Sequence, residues 1–277
     1  MVSLHGGHAL DEAGLGVADW LAALLALCPV VLYLTAAARL RRRGDAWPWP
    51  RDVSFAAGGI SLLVAAKVRM LGGEFTAHMG QHLVVGMAAP LLLVLARPLT
   101  LALRVVTGQP RRGLVRVSRT RGMGWLVFPP VAALVDIGGL WLLYRTGLFA
   151  ASHDDAWLHA AVHLHTLTSG SLLTFAVCQL DPLRHRHGLA LRASSLIAAG
   201  AAHAVLAKTL YGEPPPGTAF TATDLARGAE LMYYGGDLVE IAVAVVLAAQ
   251  WYAASDRDQT HARRRMASAA AREASDD

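Results

Sequence analysis

The sequence predicts an all-α integral membrane protein: a seven-transmembrane-helix bundle with its N-terminus outside and its C-terminus in the cytoplasm. The composition is the first observation, because 55% of the 277 residues are apolar and only 16% are charged. Soluble domains have about 25% charged residues. The second observation is a series of seven apolar stretches, and the third is the concentration of arginine in alternate segments between them. This composition argues against a soluble enzyme and against a disordered chain.

The apolar stretches have the length of membrane-spanning helices. A bilayer core of about 30 Å is crossed by roughly 20 residues of helix. Backbone groups in lipid must be paired within the element, and these stretches are too long and too few for barrel strands. The predicted spans are residues 17–38, 53–71, 78–97, 122–144, 157–179, 190–211 and 229–252. Residues 1–252 are then a single membrane domain, and residues 253–277 are a charged cytoplasmic tail.

The first stretch is predicted to be a retained span, not a cleaved signal peptide. A signal peptide has a basic head, whereas residues 1–16 hold no Lys or Arg, and the basic cluster Arg39–Arg43 follows the apolar run. Twenty of the 25 Lys and Arg lie in four alternate segments, which are 39–51, 97–121, 181–192 and 253–277. The positive-inside rule places these segments in the cytoplasm. The net charge of +5 is therefore explained by arginines on the cytoplasmic face, which also meet anionic headgroups of the lipid bilayer. No nucleic-acid partner is expected.

Five histidines are predicted to gather in the outer third of the membrane. His78 and His82 open the third span, and His159 and His163 open the fifth. Each pair has i, i+4 spacing, which puts both rings on one helix face. His203 lies about two turns from the outer end of the sixth span. The predicted topology brings all five to the same depth.

These side chains are candidate metal ligands. Imidazole binds copper, zinc, iron and nickel, and thioether sulfur favours Cu(I). Met79 and Met232 lie at a similar depth. The alternative interpretation is that the histidines hydrogen-bond lipid headgroups or neighbouring helices. His165 points nearly opposite His163 and is interpreted as a packing or proton-handling residue. The candidate ligands are His78, His82, His159, His163, His203 and Met79.

Two carboxylates inside spans add to this picture. Asp136 in the fourth span and Asp237 in the seventh lie roughly two turns from the outer face, and Glu240 is one turn deeper. Ionisable groups in a span are costly and usually functional. Asp136 or Asp237 would accept a hydrogen bond from a ligand imidazole and fix its tautomer. Interhelical salt bridges are the alternative. Pro90 is predicted to bend the third span.

Three segments resemble a known family. They are AHMGQHLVVGMAAPLLLVLARPL at 77–99, WPWPRD before the second span, and LHAAVHLHTLTSGSLLTFAVCQLDP across the fifth. The glycine pair at the start of the seventh span adds to them. Together they resemble the multi-spanning CtaG family of cytochrome c oxidase assembly factors.

The resemblance implies a multi-pass protein of the bacterial inner (cytoplasmic) membrane that assists maturation of a haem–copper oxidase. Its partners would be haem–copper oxidase subunits and its cargo copper, as Cu(I), so the protein would be a metal chaperone and not an enzyme. By position, His78, Met79, Gln81 and His82 match the family signature, with Gln81 expected beside the ligands. His159 and His163 match the histidines that open the fifth span. The resemblance leaves open which oxidase is served and whether the chain forms a homodimer.

The sequence leaves two other functional classes open. A haem-binding membrane electron-transfer protein is the main alternative, because histidines from two facing helices can ligate haem axially, and His163 with His203 would serve. A transporter or sensor is the other, although a retinal protein is not favoured, because the predicted seventh span contains no lysine.

Overall fold

The computed structural model describes residues 17–65, 73–182 and 186–276. Within these ranges the regular structure is helical throughout and contains no strand, so the all-α class is confirmed. The helices are α1 (Val17–Arg42), α2 (Trp49–Ala65), α3 (Glu74–His82), a π-helical segment (Leu83–Ala88), α4 (Ala89–Leu95), α5 (Pro98–Val105), α6 (Gly108–Ser118), α7 (Arg121–Leu126), α8 (Pro129–Arg145), α9 (Leu148–Asp154), α10 (Ala156–Cys178), α11 (Leu189–Gly212) and α12 (Ala222–Asp276).

Four of the described helices are long and apolar enough to cross a membrane, and they are Glu74–Leu95, Ala156–Cys178, Leu189–Gly212 and Ala222–Asp256. A fifth results if α8 and α9, which meet at a bend of 76°, form one broken span. The chain is therefore a helical membrane protein. A helix occupies each of the seven predicted stretches, but the count of seven spans stays a prediction. The end of the predicted second span, with Lys67 and Arg69, lies outside the described residues.

Two helices begin at positions that differ from the predicted spans. The predicted fourth span starts at 122, but α8 begins at Pro129 after a break at 127–128. Proline suits the first turn of a helix because its missing N–H needs no partner there. The predicted seventh span starts at 229, whereas α12 begins at Ala222 and continues through the predicted tail.

Five rods form a closed ring. The third rod is the continuous helix formed by α3, the π-helical segment and α4, and it packs against α12 on one side and α10 on the other. Helix α8 packs against α10 and α11, and α11 packs against α12, which closes the ring. Helix α2 packs on α4 from outside, and α1 packs on α2. The interior of this ring contains the candidate site.

Pro90 changes the third rod in a way that the sequence only partly predicts. Proline inside a helix removes one hydrogen bond and clashes with the preceding turn. The turn before Pro90 is a π-helical segment, in which the Ala89 N–H donates to the Val84 carbonyl five residues earlier. Such π-helical turns are rare and often occur at functional sites.

Close backbone contact joins the third rod to α10. A Cβ atom at Gly170 would collide with the carbonyl oxygen of Gly86. The two rods therefore cross with their backbones touching, as small residues allow in membrane helices. This crossing sets α10 directly beside the face that carries His82.

The end of the ring that carries α9 is tied together by Asp224 of α12. Its carboxylate accepts hydrogen bonds from the Phe75 N–H at 2.9 Å and the Thr76 N–H at 3.0 Å. These donors belong to the first turn of α3, where N–H groups have no partner within the helix. Asp224 thus caps α3 from another helix and fixes the start of the rod that carries His78 and His82.

A candidate histidine site inside the helix bundle

Three of the predicted histidines share one small cavity. It lies between the third rod, α8 and α10, and has a volume of about 10 Å³. This is close to the minimum that holds a single water, about 10–15 Å³. Its polar lining consists of His78, Gln81, His82, Tyr144, His163 and Thr166. Imidazoles from two separate rods therefore face each other, together with the predicted Gln81.

His78 already has a partner in this cavity. Its Nε2 lies 2.9 Å from the hydroxyl of Tyr144, and the tautomer decides which group donates. The ring also meets Phe149 of α9 edge-on, with centroids 4.7 Å apart. Tyr144 and Phe149 are both buried, so they hold the imidazole in a fixed orientation.

A larger cavity of about 40 Å³ lies on the axis of the five-rod ring. All five rods contribute to its walls, which are mainly apolar. Its polar and sulfur-bearing lining residues are His82, Met87, Asp136, Thr174, His203 and Glu240. A cavity of this size has the volume of about three waters. Because His82 lines both cavities, it forms the partition between them.

His82 and His203 form a stacked pair from two different rods. Their ring centroids are 5.8 Å apart, with an angle of 26° between the planes. His82 is 5% exposed and His203 is 2% exposed. The Nε2 atom of each ring is buried and has no hydrogen-bond partner among the described residues. Since buried polar atoms are normally hydrogen-bonded, both nitrogens are candidate ligand atoms.

The other nitrogen of His203 faces a carboxylate. Its Nδ1 lies 3.8 Å from Oε1 of Glu240. The sequence suggested Asp136 or Asp237 as the acceptor for a ligand imidazole, and Asp237 does not line the cavity. The predicted Asp136 does line the cavity, and its carboxylate accepts a hydrogen bond of 2.7 Å from the Ser169 hydroxyl. Asp136 thus shares the cavity with the histidine pair without forming the closest carboxylate contact.

The remaining histidines extend the small cavity toward the α9 end. The rings of His159 and His163 are 4.4 Å apart. His153 of α9 lies 6.5 Å from His159 and 6.5 Å from His78, measured between ring centroids. His153 is not among the candidate ligands selected from the sequence. The sharp bend between α8 and α9 folds it back over the histidines that sequence reasoning had selected.

Met79 and His165 lie away from both cavities. Met79 is fully buried in an apolar cluster that also contains Met232, so its thioether does not face the predicted ligands. His165 is exposed, and its ring lies against Gly139 of α8. The structure therefore brings four of the five predicted histidine ligands to the walls of two cavities, and these are His78, His82, His163 and His203. The fifth, His159, contacts His163 with its ring tilted by 41°.

Sequence reasoning missed Tyr144 and Met87 and did not select Glu240. Glu240 carried a signal, because a carboxylate inside a span is costly. Met87 carried no such signal. It lies five residues after His82, and residues i and i+5 point to different faces of a regular α-helix. Met87 lies in the π-helical segment, which has i, i+5 hydrogen bonds, and it lines the larger cavity with His82.

Among residues 17–65, 73–182 and 186–276, no group of three or more His, Cys, Asp or Glu side chains is arranged to hold a metal ion. A site here would therefore depend on the stacked histidine pair with a different third ligand. Cu(I) fits such a donor set, because it accepts imidazole and thioether ligands.

These features define a helical membrane protein with a histidine-lined interior. The chain belongs to the family described as cytochrome c oxidase caa3 assembly factor (Caa3_CtaG), which matches residues 31–254. This match confirms the resemblance seen in the sequence. The family is one of assembly factors for cytochrome c oxidase.

The chain is also similar to uncharacterised mycobacterial proteins. It is 29% identical to one from Mycobacterium leprae over 241 residues, which is 79% of this chain and 37% of the relative. It is 33% identical to one from Mycobacterium bovis and one from Mycobacterium tuberculosis over 160 residues, which is 54% of this chain and 24% of each relative. The chain therefore spans about a quarter to a third of these relatives. No solved structure matches it significantly.

Proposed function

We propose that this protein holds copper as Cu(I) and delivers it to a subunit of a haem–copper cytochrome c oxidase during assembly, without catalysing a reaction. Membership of the assembly-factor family supports the role in oxidase maturation. The stacked pair of His82 and His203 supports the copper role. Both Nε2 atoms are buried and unpaired among the described residues, and imidazole is a suitable copper ligand.

The proposal includes the predicted topology. Seven spans in the bacterial inner membrane, with the N-terminus outside, place the arginine-rich segments in the cytoplasm. The α9 end of the bundle then faces the periplasm, where copper sites of oxidases are accessible to a donor. His78, His153, His159 and His163 lie nearest this end, and the larger cavity lies deeper. The oxidase subunit would dock at this outer end.

The proposed ligands come from the predicted set, in two groups. His82 and His203 border the larger cavity, and His78 and His163 border the smaller one with Gln81. His159 joins the second group by its contact with His163. Met79 is not assigned a ligand role here, because its side chain is packed in the apolar core.

Haem binding between His163 and His203 has no structural support. The two cavities beside these rings measure about 10 Å³ and 40 Å³. Pockets for cofactors of this kind are far larger, at about 300–1,000 Å³.

The proposal is tested in a cell that lacks this protein. Wild-type protein is expected to restore both the copper content and the activity of the membrane oxidase, and so is the control His165→Ala, which changes an exposed histidine outside both cavities. The double variant His78→Ala/His82→Ala is expected to restore neither at low external copper. Full restoration by the double variant, at equal protein level in the membrane, would contradict the proposal.

A further inference from the structure

We infer that the larger cavity is a Cu(I) site of its own, with His82, His203 and Met87 as ligands and Glu240 as the charge that balances the cation. This inference rests on the proposed function, because it specifies where the copper binds. It separates this inner site from the group of His78, His159 and His163 nearer the α9 end.

The two imidazoles border the same cavity. His82 comes from the third rod and His203 from α11, and both line the larger cavity. Their Nε2 atoms are buried without a partner among the described residues. Leaving a buried acceptor or donor unpaired costs about 1–3 kcal/mol each. A bound cation that both nitrogens ligate removes this cost.

Glu240 lies on the side of His203 where metal-binding histidines commonly have a carboxylate. A ligating histidine usually donates its second N–H to such a carboxylate, which fixes the tautomer. Glu240 lies 3.8 Å from His203 Nδ1, beyond hydrogen-bond distance, and His203 Nε2 has no partner among the described residues. The negative charge of Glu240 would also offset the single positive charge of Cu(I) in the low-dielectric interior, where an unpaired charge is costly.

Met87 selects for the soft ion. It lies in the π-helical segment and lines the same cavity as His82 and His203. Two imidazoles and a thioether suit Cu(I) and are poor ligands for hard ions such as Mg²⁺ and Ca²⁺. The volume of about 40 Å³ accommodates one ion with little space for water.

The location of His82 connects this site with the outer histidines. His82 lines both cavities, and His78 and His163 border the smaller one. An ion in the larger cavity is therefore separated from the outer group by a single imidazole ring. The inner site would store the ion, and the outer group would be the route by which it enters and leaves.

The test uses the full chain in detergent under anaerobic, reducing conditions. Cu(I) is titrated against the chelator bicinchoninate, and the copper environment is read by X-ray absorption. We expect a wild-type spectrum with nitrogen and sulfur neighbours. Met87→Leu should lose the sulfur neighbour and keep nitrogen. The matched control Met79→Leu, at a core methionine eight residues away, should give the wild-type spectrum. His203→Gln should weaken binding at least about tenfold.

The possible results distinguish this inference from the proposed function. Failure of the wild-type protein to bind Cu(I) overturns both. Copper binding that is unchanged in His203→Gln and in Met87→Leu overturns the inner site but leaves the proposed function standing. Loss of the sulfur neighbour in Met79→Leu, and not in Met87→Leu, also overturns it. Thermal unfolding of each variant shows whether it is folded, and the near-isosteric Met87→Leu keeps the test decisive if His203→Gln is not.

Discussion

The imidazole of His203 stacks on that of His82 across two helices, with ring centroids 5.8 Å apart. His82 belongs to the HMGQH segment that matches the family signature, and His203 lies 121 positions later in the chain. Their contact occurs inside a ring of five rods, beside two carboxylates and a methionine. The proposed copper binding depends on this contact.

Replacing Glu240 is expected to weaken Cu(I) binding. Glu240→Gln removes the charge that lies 3.8 Å from His203 Nδ1. Loss of such a partner typically lowers metal affinity by about 10–100-fold. Glu230→Gln is the matched control, because Glu230 lies on the same helix but is exposed and does not line the cavity. Chelator competition measures both. An equal loss in Glu230→Gln would contradict a specific role for Glu240.

Filling the space beside His203 is expected to displace its ring. A Cβ atom at Gly236 would collide with the imidazole, so Gly236→Ala should lower the free energy of unfolding by about 1–3 kcal/mol and weaken copper binding. The control is Gly138→Ala on α8, where a Cβ would meet nothing within 4 Å. Thermal unfolding in detergent compares the two. Equal stability of both variants would show that the His203 ring is not confined by α12.

Removing the hydroxyl of Tyr144 tests how His78 is held. Tyr144→Phe deletes the 2.9 Å hydrogen bond to His78 Nε2, and we expect a loss of about 1–2 kcal/mol in stability because a buried group loses its partner. Tyr234→Phe, at a tyrosine that is 70% exposed, should change stability by less than about 0.5 kcal/mol. Denaturation curves provide the measurement, and no difference between the two variants would contradict this account of His78.

The cap on α3 is a separate support. Asp224→Ala removes the acceptor for the Phe75 and Thr76 N–H groups, which should lower the free energy of unfolding by about 0.5–2 kcal/mol. Hydrogen exchange at the start of α3 should rise together with it. Asp154→Ala changes an exposed aspartate at the end of α9 and should leave exchange at α3 unaltered. Unchanged protection of α3 in Asp224→Ala would be inconsistent with the capping role.

The helices were predictable because hydropathy over about 20 residues is a local property of the sequence. Their boundaries were less so, since Pro129 and Ala222 begin helices at positions decided by turn chemistry and by contact with neighbouring rods. The i, i+4 spacing correctly placed His78 and His82 beside one cavity, because that spacing is fixed by helix geometry.

The parts of the site that escaped prediction depend on helix rotation and on backbone irregularity. Asp237 and Glu240 lie about one turn apart on α12, so the position of α12 against α11 decides which of them lines the cavity with His203. Met79 directly follows His78 in sequence, and adjacent residues on a helix point about 100° apart, which sends Met79 into the core. Met87 lines the cavity from within the π-helical segment, a backbone irregularity that hydropathy does not predict.

The most direct test of the central claim is the number of Cu(I) ions bound per chain by purified His82→Ala, compared with the wild type and with His165→Ala. His82 borders both cavities, so its removal should reduce Cu(I) binding wherever the ion is held. We predict a full loss of tight binding in His82→Ala and wild-type binding in His165→Ala. Undiminished copper binding by a folded His82→Ala protein would contradict the claim that these imidazoles share the metal.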